Sequence, residues 1–314
     1  MGLQELRFNS DGSIQPVSGS PYPNAGQPVG IAGNYLIAGA GGNTIAAYSV
    51  NPSTGAVTKT SSAVPGGTVA GNSNFVYAGT TNAIYGYALS NGELTAVPGS
   101  PFGVTTPDPC GCATPDYGWL QIAQGYLFYM NNADHAGDSA YAAKIQSDGS
   151  IVPKSLAQGN AGQLVVTPNG KFVYVSDSGA SALELFTFNS ATGSVQEAGS
   201  TGPAATGVID ATSSFMFAVG LGSGGTIDTY RIDPQTGMMS QASSVVDPQG
   251  YPVAVDPSNK YLLTFDQPTS TSSAIGVWSI DAVTGALTRV NSYAVGNSSS
   301  NSYAGGGFVV GKFQ

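Results

Sequence analysis

The chain is a succession of short hydrophobic runs bounded by turn residues, and this pattern predicts β-strands. In QPVGIAG at 27–33 and NYLIAGA at 34–40, apolar residues fall on both sides of the run, as expected for strands buried on two faces. The next run, NTIAAYSVN at 43–51, alternates between its two faces. A fourth run, AVTKTSSAV at 56–64, completes a unit of four predicted strands.

A turn phrase that closes on glycine recurs seven times, between the third and fourth runs of each unit. The copies are NSDGSI, NPSTGAV, SNGEL, SDGSI, NSATGSV, DPQTGMM and DAVTGAL. Their glycines are spaced 37 to 57 residues apart, at Gly12, Gly55, Gly92, Gly149, Gly193, Gly237 and Gly285. A repeat near this length that is built of short strands is typical of a β-propeller blade, so seven turns predict seven blades.

The two ends of the chain each hold half a unit. Residues 3–17 contain only a third strand, a turn and a fourth strand, whereas residues 301–314 contain only a first and a second strand. We expect these N-terminal and C-terminal strands to pair in one blade, because that closes the ring and removes exposed sheet edges. The prediction is an all-β fold, a seven-bladed propeller of four-stranded antiparallel blades that forms a single domain over residues 1–314.

Charged residues are scarce and mostly acidic. They make up 9% of the chain, against roughly 25% in an average globular protein. With a net charge of −9 and no basic run, neither nucleic acid nor anionic lipid is an expected partner. No stretch approaches about 18 apolar residues, so membrane insertion is not expected either.

The start of the chain leaves two locations open. Met1 and Gly2 are followed directly by strand-like LQELRF, without a basic start or an apolar run, as in a cytosolic protein or a mature secreted chain. The uncharged surface, rich in Ser, Thr and Gly, favours the second. We therefore expect a secreted, periplasmic or cell-surface protein.

The phrases GSPYP, GSPF, FVYVSDSG and SIDAVTGAL resemble the seven-bladed lactonase family, which includes bacterial 6-phosphogluconolactonases and carboxymuconate-lactonizing enzymes. They also resemble the YVTN repeats of prokaryotic surface-layer propellers. The resemblance runs from residue 3 to 313 and implies a propeller with a ligand funnel at one mouth. Enzymes of this family rely on basic and histidine side chains in the funnel, and no such cluster is visible here. Whether the chain is an enzyme therefore stays open.

Blade topology sorts the loops onto two faces. The glycine turns and the turns between first and second strands share one face, here called the turn face. The turns between second and third strands and the links between blades share the other, here called the loop face, where function is expected. Its aspartates are Asp108, Asp116, Asp134, Asp138, Asp177, Asp247 and Asp266. No Lys or Arg falls in these loops, so we expect an acidic funnel that repels anionic substrates.

His135 is the only histidine, and it lies in NNADHAGDS. One interpretation is a general base, oriented by Asp134, that activates water for attack on a lactone. Two alternatives stay open, a metal site formed with Asp138 and a solvated loop histidine. In the first interpretation the other funnel residues would bind substrate, with Asp116, Asp177 and Asp266 as polar partners and Tyr117, Trp119 and Tyr251 as stacking surfaces.

No cofactor is expected, although Ca²⁺ at the Asp-rich loops stays an alternative because this ion prefers several carboxylate and carbonyl ligands. A zinc site at Cys110 and Cys112 would need two further soft ligands, and His135 supplies at most one. The predicted partner is a small neutral carbohydrate or lactone. The alternative function is a non-catalytic surface propeller that binds glycan or another surface protein, or assembles with itself.

Overall fold

The computed structural model describes residues 3–22, 26–81, 83–103, 117–131, 139–158, 161–177, 181–220, 225–247, 250–269, 272–296, 309–311 and 313. Within these residues, antiparallel strands form six blades in chain order and one further two-stranded sheet. No helix in the described part of the chain is long and apolar enough to cross a membrane.

The N-terminal two-stranded sheet consists of β1 (Leu6–Phe8) and β2 (Ile14–Pro16). The first blade contains β3 (Pro28–Ala32), β4 (Tyr35–Gly39), β5 (Thr44–Val50), β6 (Val57–Lys59) and β7 (Val64–Pro65). The second contains β8 (Thr68–Gly71), β9 (Phe75–Gly79), β10 (Ile84–Ser90) and β11 (Glu93–Ala96). The third contains β12 (Tyr117–Ala123), β13 (Tyr126–Asn131), β14 (Ser139–Ile145) and β15 (Ile151–Gln158).

The fourth blade contains β16 (Ala161–Val166), β17 (Phe172–Asp177), β18 (Leu183–Asn189) and β19 (Ser194–Thr201). The fifth contains β20 (Val208–Ile209), β21 (Phe215–Val219), β22 (Thr226–Ile232) and β23 (Met239–Val246). The sixth contains β24 (Gly250–Val255), β25 (Tyr261–Thr269), β26 (Ser272–Ile280) and β27 (Leu287–Gly296). The predicted unit of four strands is thus confirmed.

The outer strand of the first blade is broken, although the sequence predicts one continuous strand over 56–64. Both Thr60 and Ser61 donate backbone hydrogen bonds to the carbonyl oxygen of Ala47. The hydroxyl of Ser61 accepts the backbone N–H of Ala47 at 2.9 Å. Because a side chain takes the place of the next strand partner, the regular ladder stops at Lys59 and resumes only at Val64.

The core consists of seams between neighbouring blades. In β17, Val173 and Val175 pack against the third blade, where Phe128 lies fully buried. The alternate residue, Tyr174, packs with Met216 of the fifth blade. Second strands are therefore apolar on both faces because each face fills a different seam.

Each glycine turn accepts a hydrogen bond from the preceding blade, and these bonds are here called latches. The seven glycines have φ between 66° and 84°, in the left-handed region that favours glycine. Their carbonyl oxygens accept hydrogen bonds from Asn291 (to Gly12), Tyr22 (to Gly55), Thr60 (to Gly92), Tyr77 (to Gly149), Lys154 (to Gly193), Tyr174 (to Gly237) and Thr229 (to Gly285). Each copy of the turn phrase thus connects its blade to the preceding one by a hydrogen bond.

The latches show that the ring has seven blades and closes on itself. β1 and β2 are latched to the sixth blade through Gly12, and Tyr22, which follows β2, is latched to the first blade through Gly55. Val310 packs with Leu6 in one of these seams, and Val309 packs with Leu3 in the other. These contacts place the described C-terminal residues beside the N-terminal segment, as predicted, whereas the predicted C-terminal strands fall mostly on residues outside the described ones and their pairing stays a prediction.

Candidate functional site

Three of the eight predicted site residues have described side chains, namely Trp119, Tyr251 and Asp266. Only the backbone is described for Tyr117, at the start of β12, and for Asp177, at the end of β17. Asp116, Asp134 and His135 lie outside the described residues, as do Asp108, Asp138, Cys110 and Cys112. The candidate residues with described side chains lie on strands at the loop face, and this part of the site is here called the described wall.

Trp119 lies at the loop-face end of β12, the innermost strand of the third blade. The pairing of β12 with β13 shifts between Gly118 and Gln121, and Trp119 at this irregularity has φ +51°. Bulky residues rarely adopt this left-handed conformation, because Cβ crowds the backbone. The indole is nevertheless 46% exposed. A strained backbone that presents a large aromatic surface to solvent keeps Trp119 a candidate binding residue.

Tyr251 occupies the matching end of β24 in the sixth blade and is 41% exposed. Innermost strands all begin at the loop face, so Trp119 and Tyr251 stand on that face, three blades apart. Between them, the hydroxyl of Thr206 donates to Oε1 of Gln163 at 2.6 Å and joins the inner ends of the fourth and fifth blades. The described wall thus combines aromatic surface with uncharged polar groups.

Asp266 is the centre of a buried network in the seam between the fifth and sixth blades. Trp278 Nε1 donates to the hydroxyl of Thr264 at 3.2 Å, and this hydroxyl donates to Oδ1 of Asp266 at 2.6 Å. The guanidinium of Arg289 donates to Oδ2 of Asp266 and lies 3.6 Å from Oδ2 of Asp247. It also stacks on Trp278, 5.3 Å from the ring centre.

Two glycines make room for these carboxylates. A Cβ on Gly276 would lie 2.8 Å from Oδ2 of Asp266, and a Cβ on Gly250 would lie 2.2 Å from Oδ2 of Asp247. Neither carboxylate could keep its position beside a larger residue. Their placement is therefore built into the strands of the sixth blade.

In the fifth blade, the aspartate and the glycine exchange positions. Gly220 follows β21 at the position that Asp266 has in the next blade, and Asp228 in β22 has the position of Gly276. A Cβ on Gly220 would lie 2.7 Å from Oδ2 of Asp228, whose Oδ1 accepts the hydroxyl of Ser244 at 2.6 Å. Both blades thus place a carboxylate near the loop face at corresponding points of their seams. It comes from the second strand, β25, in the sixth blade and from the third strand, β22, in the fifth.

One loop-face aspartate, Asp266, is paired with a cation, although no Lys or Arg falls in the loops of that face. Arg289 belongs to the outer strand β27, but it pairs with Trp278 across the sheet and shares a face with Asp266. Its long side chain therefore runs inward over the indole to the carboxylate. Strand register counted from the Gly285 turn could have revealed this placement of Arg289, because Arg289 lies only four residues beyond that turn.

The described residues contain no group of three or more His, Cys, Asp or Glu side chains placed to hold a metal ion. Asp247 and Asp266 are bound to a guanidinium instead. Asp266 is only 4% exposed and its carboxylate already has hydrogen-bond partners, so the predicted contact of Asp266 with a substrate stays a prediction.

Comparison with known families matches the middle part of the chain to one family of propellers. Residues 137–255 match the family described as lactonase, 7-bladed β-propeller. This segment of the chain resembles the lactonase propellers. The predicted resemblance is confirmed over that segment, and no curated protein matches the chain.

Solved structures with this fold include several bacterial propellers. A candidate 6-phosphogluconolactonase from Bacteroides uniformis has a TM-score of 0.70 at 18% identity, with 95% of this chain and 93% of that chain covered. The periplasmic gluconolactonase of Pseudomonas aeruginosa has a TM-score of 0.68 at 16% identity, with 94% and 92% covered. A protein from Lactobacillus plantarum gives 0.68 at 15%, with 94% and 92% covered. At such identities, the similarity of this chain to each of these structures establishes the fold alone.

Proposed function

We propose that this lactonase-like propeller hydrolyses an uncharged sugar lactone at its loop face. The observation that carries the proposal is Trp119, a half-exposed indole held on left-handed backbone at the mouth. Sugar rings present apolar C–H faces between polar hydroxyls. They therefore fit an aromatic surface that is flanked by fixed hydrogen-bonding groups such as Gln163 and Thr206.

The proposed chemistry uses His135 and Asp134. His135 takes a proton from water as the oxygen attacks the lactone carbonyl carbon, and Asp134 orients the imidazole. The ring carbon–oxygen bond then breaks, and the leaving oxygen receives the proton from His135. The product is a hydroxy acid, and neither a metal ion nor a cofactor takes part.

The charges on the described loop face favour a neutral substrate. Arg289 is already engaged by two carboxylates, Asp247 and Asp266, so its pairing leaves one negative charge in excess. A phosphate group would need a guanidinium or ammonium that is free to bind it. We therefore propose a lactone of the gluconolactone type rather than its phosphorylated form.

A periplasmic or secreted location fits the same proposal. The structural neighbour from Pseudomonas aeruginosa is named as a periplasmic gluconolactonase. The low content of charged residues, 9%, supports an extracytoplasmic location for this chain too.

The kinetic effects of site variants test the proposal. We expect His135→Ala to lower kcat at least a hundredfold, since general bases contribute about 10²- to 10⁴-fold. Trp119→Ala should mainly raise KM, whereas Trp119→Phe, the matched control, retains an aromatic face and should bind more nearly as the wild type does. Full turnover by His135→Ala would refute the catalytic assignment.

Glycan binding without catalysis is the second candidate, and the exposed rings of Trp119 and Tyr251 also suit it. Neutral oligosaccharides that change the Trp119 fluorescence in a protein without lactone turnover would favour this function. Comparison with Trp119→Phe identifies the indole that responds, because the other tryptophan, Trp278, is buried.

A further inference from the structure

The seventh blade carries a carboxylate at a position where the other blades have none. The backbone N–H of Glu5 donates to the hydroxyl of Ser20 at 2.8 Å, as that of Gly86 does to Ser100 at 3.0 Å. Together with the bond from Ala47 to Ser61, these bonds identify one equivalent position in three blades, and strand register gives its occupants in the others. The other occupants are Ala47, Gly86, Ala142, Leu185, Thr229 and Val277.

Glu5 faces the seam between the seventh and first blades, here called the closing seam. A Cβ on Gly55, the glycine latched by Tyr22, would lie 3.1 Å from Oε1 of Glu5. Oε2 is buried and has no hydrogen-bond partner among the described residues. The carboxylate lines a cavity of about 810 Å³ whose walls are mostly apolar, with Leu3, Val17, Leu36, Val309 and Phe313 among the lining residues.

Few charged groups surround this carboxylate. Arg7, in β1, lies two residues further along the chain, and its guanidinium donates to the carbonyl oxygen of Ser53 in the first blade. From the sixth blade, Asp256 and Lys260 line the same cavity. From the first blade, Tyr48 is buried in the closing seam, and its hydroxyl is also without a partner in the described chain. None of these groups forms an ion pair with Glu5 in the described structure.

We propose that Glu5 makes the closing seam pH-sensitive, with the protonated carboxyl stabilising the contact between the seventh and first blades and the carboxylate weakening it. A neutral carboxyl can remain in a mostly apolar seam, whereas a charge without a partner there loses its hydration. Because the ring depends on every seam, the weakening acts on the stability of the whole propeller.

The sign of the effect follows from burial. Burial raises the pKa of Glu5 from 4.5 to about 7, and the nearby Arg7 opposes the rise. The folded state therefore holds its proton more tightly than the unfolded state. The stabilisation is fully present below pH 4.5 and is lost as the pH rises through about 7. Solvent reaches part of the side chain, so we expect an effect on the order of tenfold in the folding equilibrium constant.

Urea denaturation of the full chain at pH 4, 5, 6, 7 and 8 tests the proposal. The variant Glu5→Gln keeps the shape of the side chain but cannot ionise. Its stability should match that of the wild type at pH 4 and exceed it at pH 8, by roughly tenfold in the equilibrium constant. Glu5→Leu, which places at this position the residue found in the fourth blade, should also lack the pH-dependent term. Parallel pH profiles for the wild type and both variants would overturn the proposal.

Two controls separate this carboxylate from other charges. Glu93→Gln removes an exposed carboxylate from β11 and should leave the pH profile unchanged. Lys312→Met removes the lysine of the C-terminal segment, a residue that lies outside the described ones. It should also leave the difference between wild type and Glu5→Gln intact. Loss of that difference would mean that an ion pair, rather than burial, sets the pH dependence, and would overturn the proposal.

Discussion

The phenolic hydroxyl of Tyr174 donates a hydrogen bond of 2.8 Å to the carbonyl oxygen of Gly237 in the next blade. Phe172, two residues earlier, packs beneath the same glycine. The second blade repeats the relationship, with Tyr77 bonded to Gly149 and Phe75 beneath it. The repeated turn phrase is thus one half of a joint between blades, and its other half lies in the second strand of the preceding repeat.

Removing one latch hydroxyl should destabilise the ring. Tyr174 is fully buried, and burial raises the pKa of its hydroxyl, so this group stays a proton donor at neutral pH. Tyr174→Phe would leave the carbonyl oxygen of Gly237 without its donor, at a cost of about 1 to 3 kcal/mol. Urea denaturation measures the change. Tyr85→Phe, whose hydroxyl joins no latch, is the control, and an equal loss in both variants would contradict the latch.

A side chain on a latch glycine should cost more than backbone strain alone. Gly237 has φ +74°, and a Cβ there would lie 2.5 Å from Cδ1 of Phe172. Gly42 has φ +58° with nothing within 4 Å of such a Cβ. We expect Gly42→Ala to lose about 1 kcal/mol and Gly237→Ala to lose about 1 to 3 kcal/mol more, because the core is overpacked. Equal melting temperatures for the Gly42→Ala and Gly237→Ala variants would contradict this prediction, because they would show that the Phe172 side chain moves aside without cost.

Arg289 should stabilise the seam between the fifth and sixth blades. Arg289→Met would leave the buried carboxylates of Asp266 and Asp247 without their cation. Because the arginine side chain is itself 40% exposed, we expect a loss of about 2 kcal/mol, less than for a fully buried pair.

A double-mutant cycle isolates the charge pairing from the packing of Arg289. With Asp266→Asn already present, the effect of Arg289→Met should shrink, since one uncompensated charge is gone. Arg231→Met is the matched control, because Arg231 lies 4.7 Å over the Phe215 ring but is bonded to a backbone carbonyl rather than to a carboxylate. Additive effects of the Arg289 and Asp266 changes would contradict the proposed network.

Local turn chemistry made the fold predictable. Each phrase requires a glycine with positive φ, and the spacing of the seven copies sets the length of a blade. At the start of the second strands, the aromatic residues Phe172, Phe215 and Tyr261 each lie beneath the glycine turn of the next blade. The break in the first outer strand was not foreseen, because it arises when the side chain of Ser61 replaces a strand partner.

The site was less predictable because it depends on register and irregular backbone. Arg289 reaches Asp266 only because β27 pairs with β26 so that both side chains share a sheet face. The left-handed conformation of Trp119 comes from a shift in pairing that alternation alone does not reveal. The assignments of His135 and Asp134 remain predictions from the sequence, since both lie outside the described residues.

Hydrolysis of matched neutral and phosphorylated sugar lactones, followed by pH-stat against the spontaneous rate, tests the central claim most directly. The proposed function predicts acceleration of the neutral lactone and little for its phosphate ester, because Arg289 is already bound by two carboxylates. Preferential turnover of the phosphorylated lactone would contradict the predicted selectivity. No turnover of either compound would contradict catalysis itself.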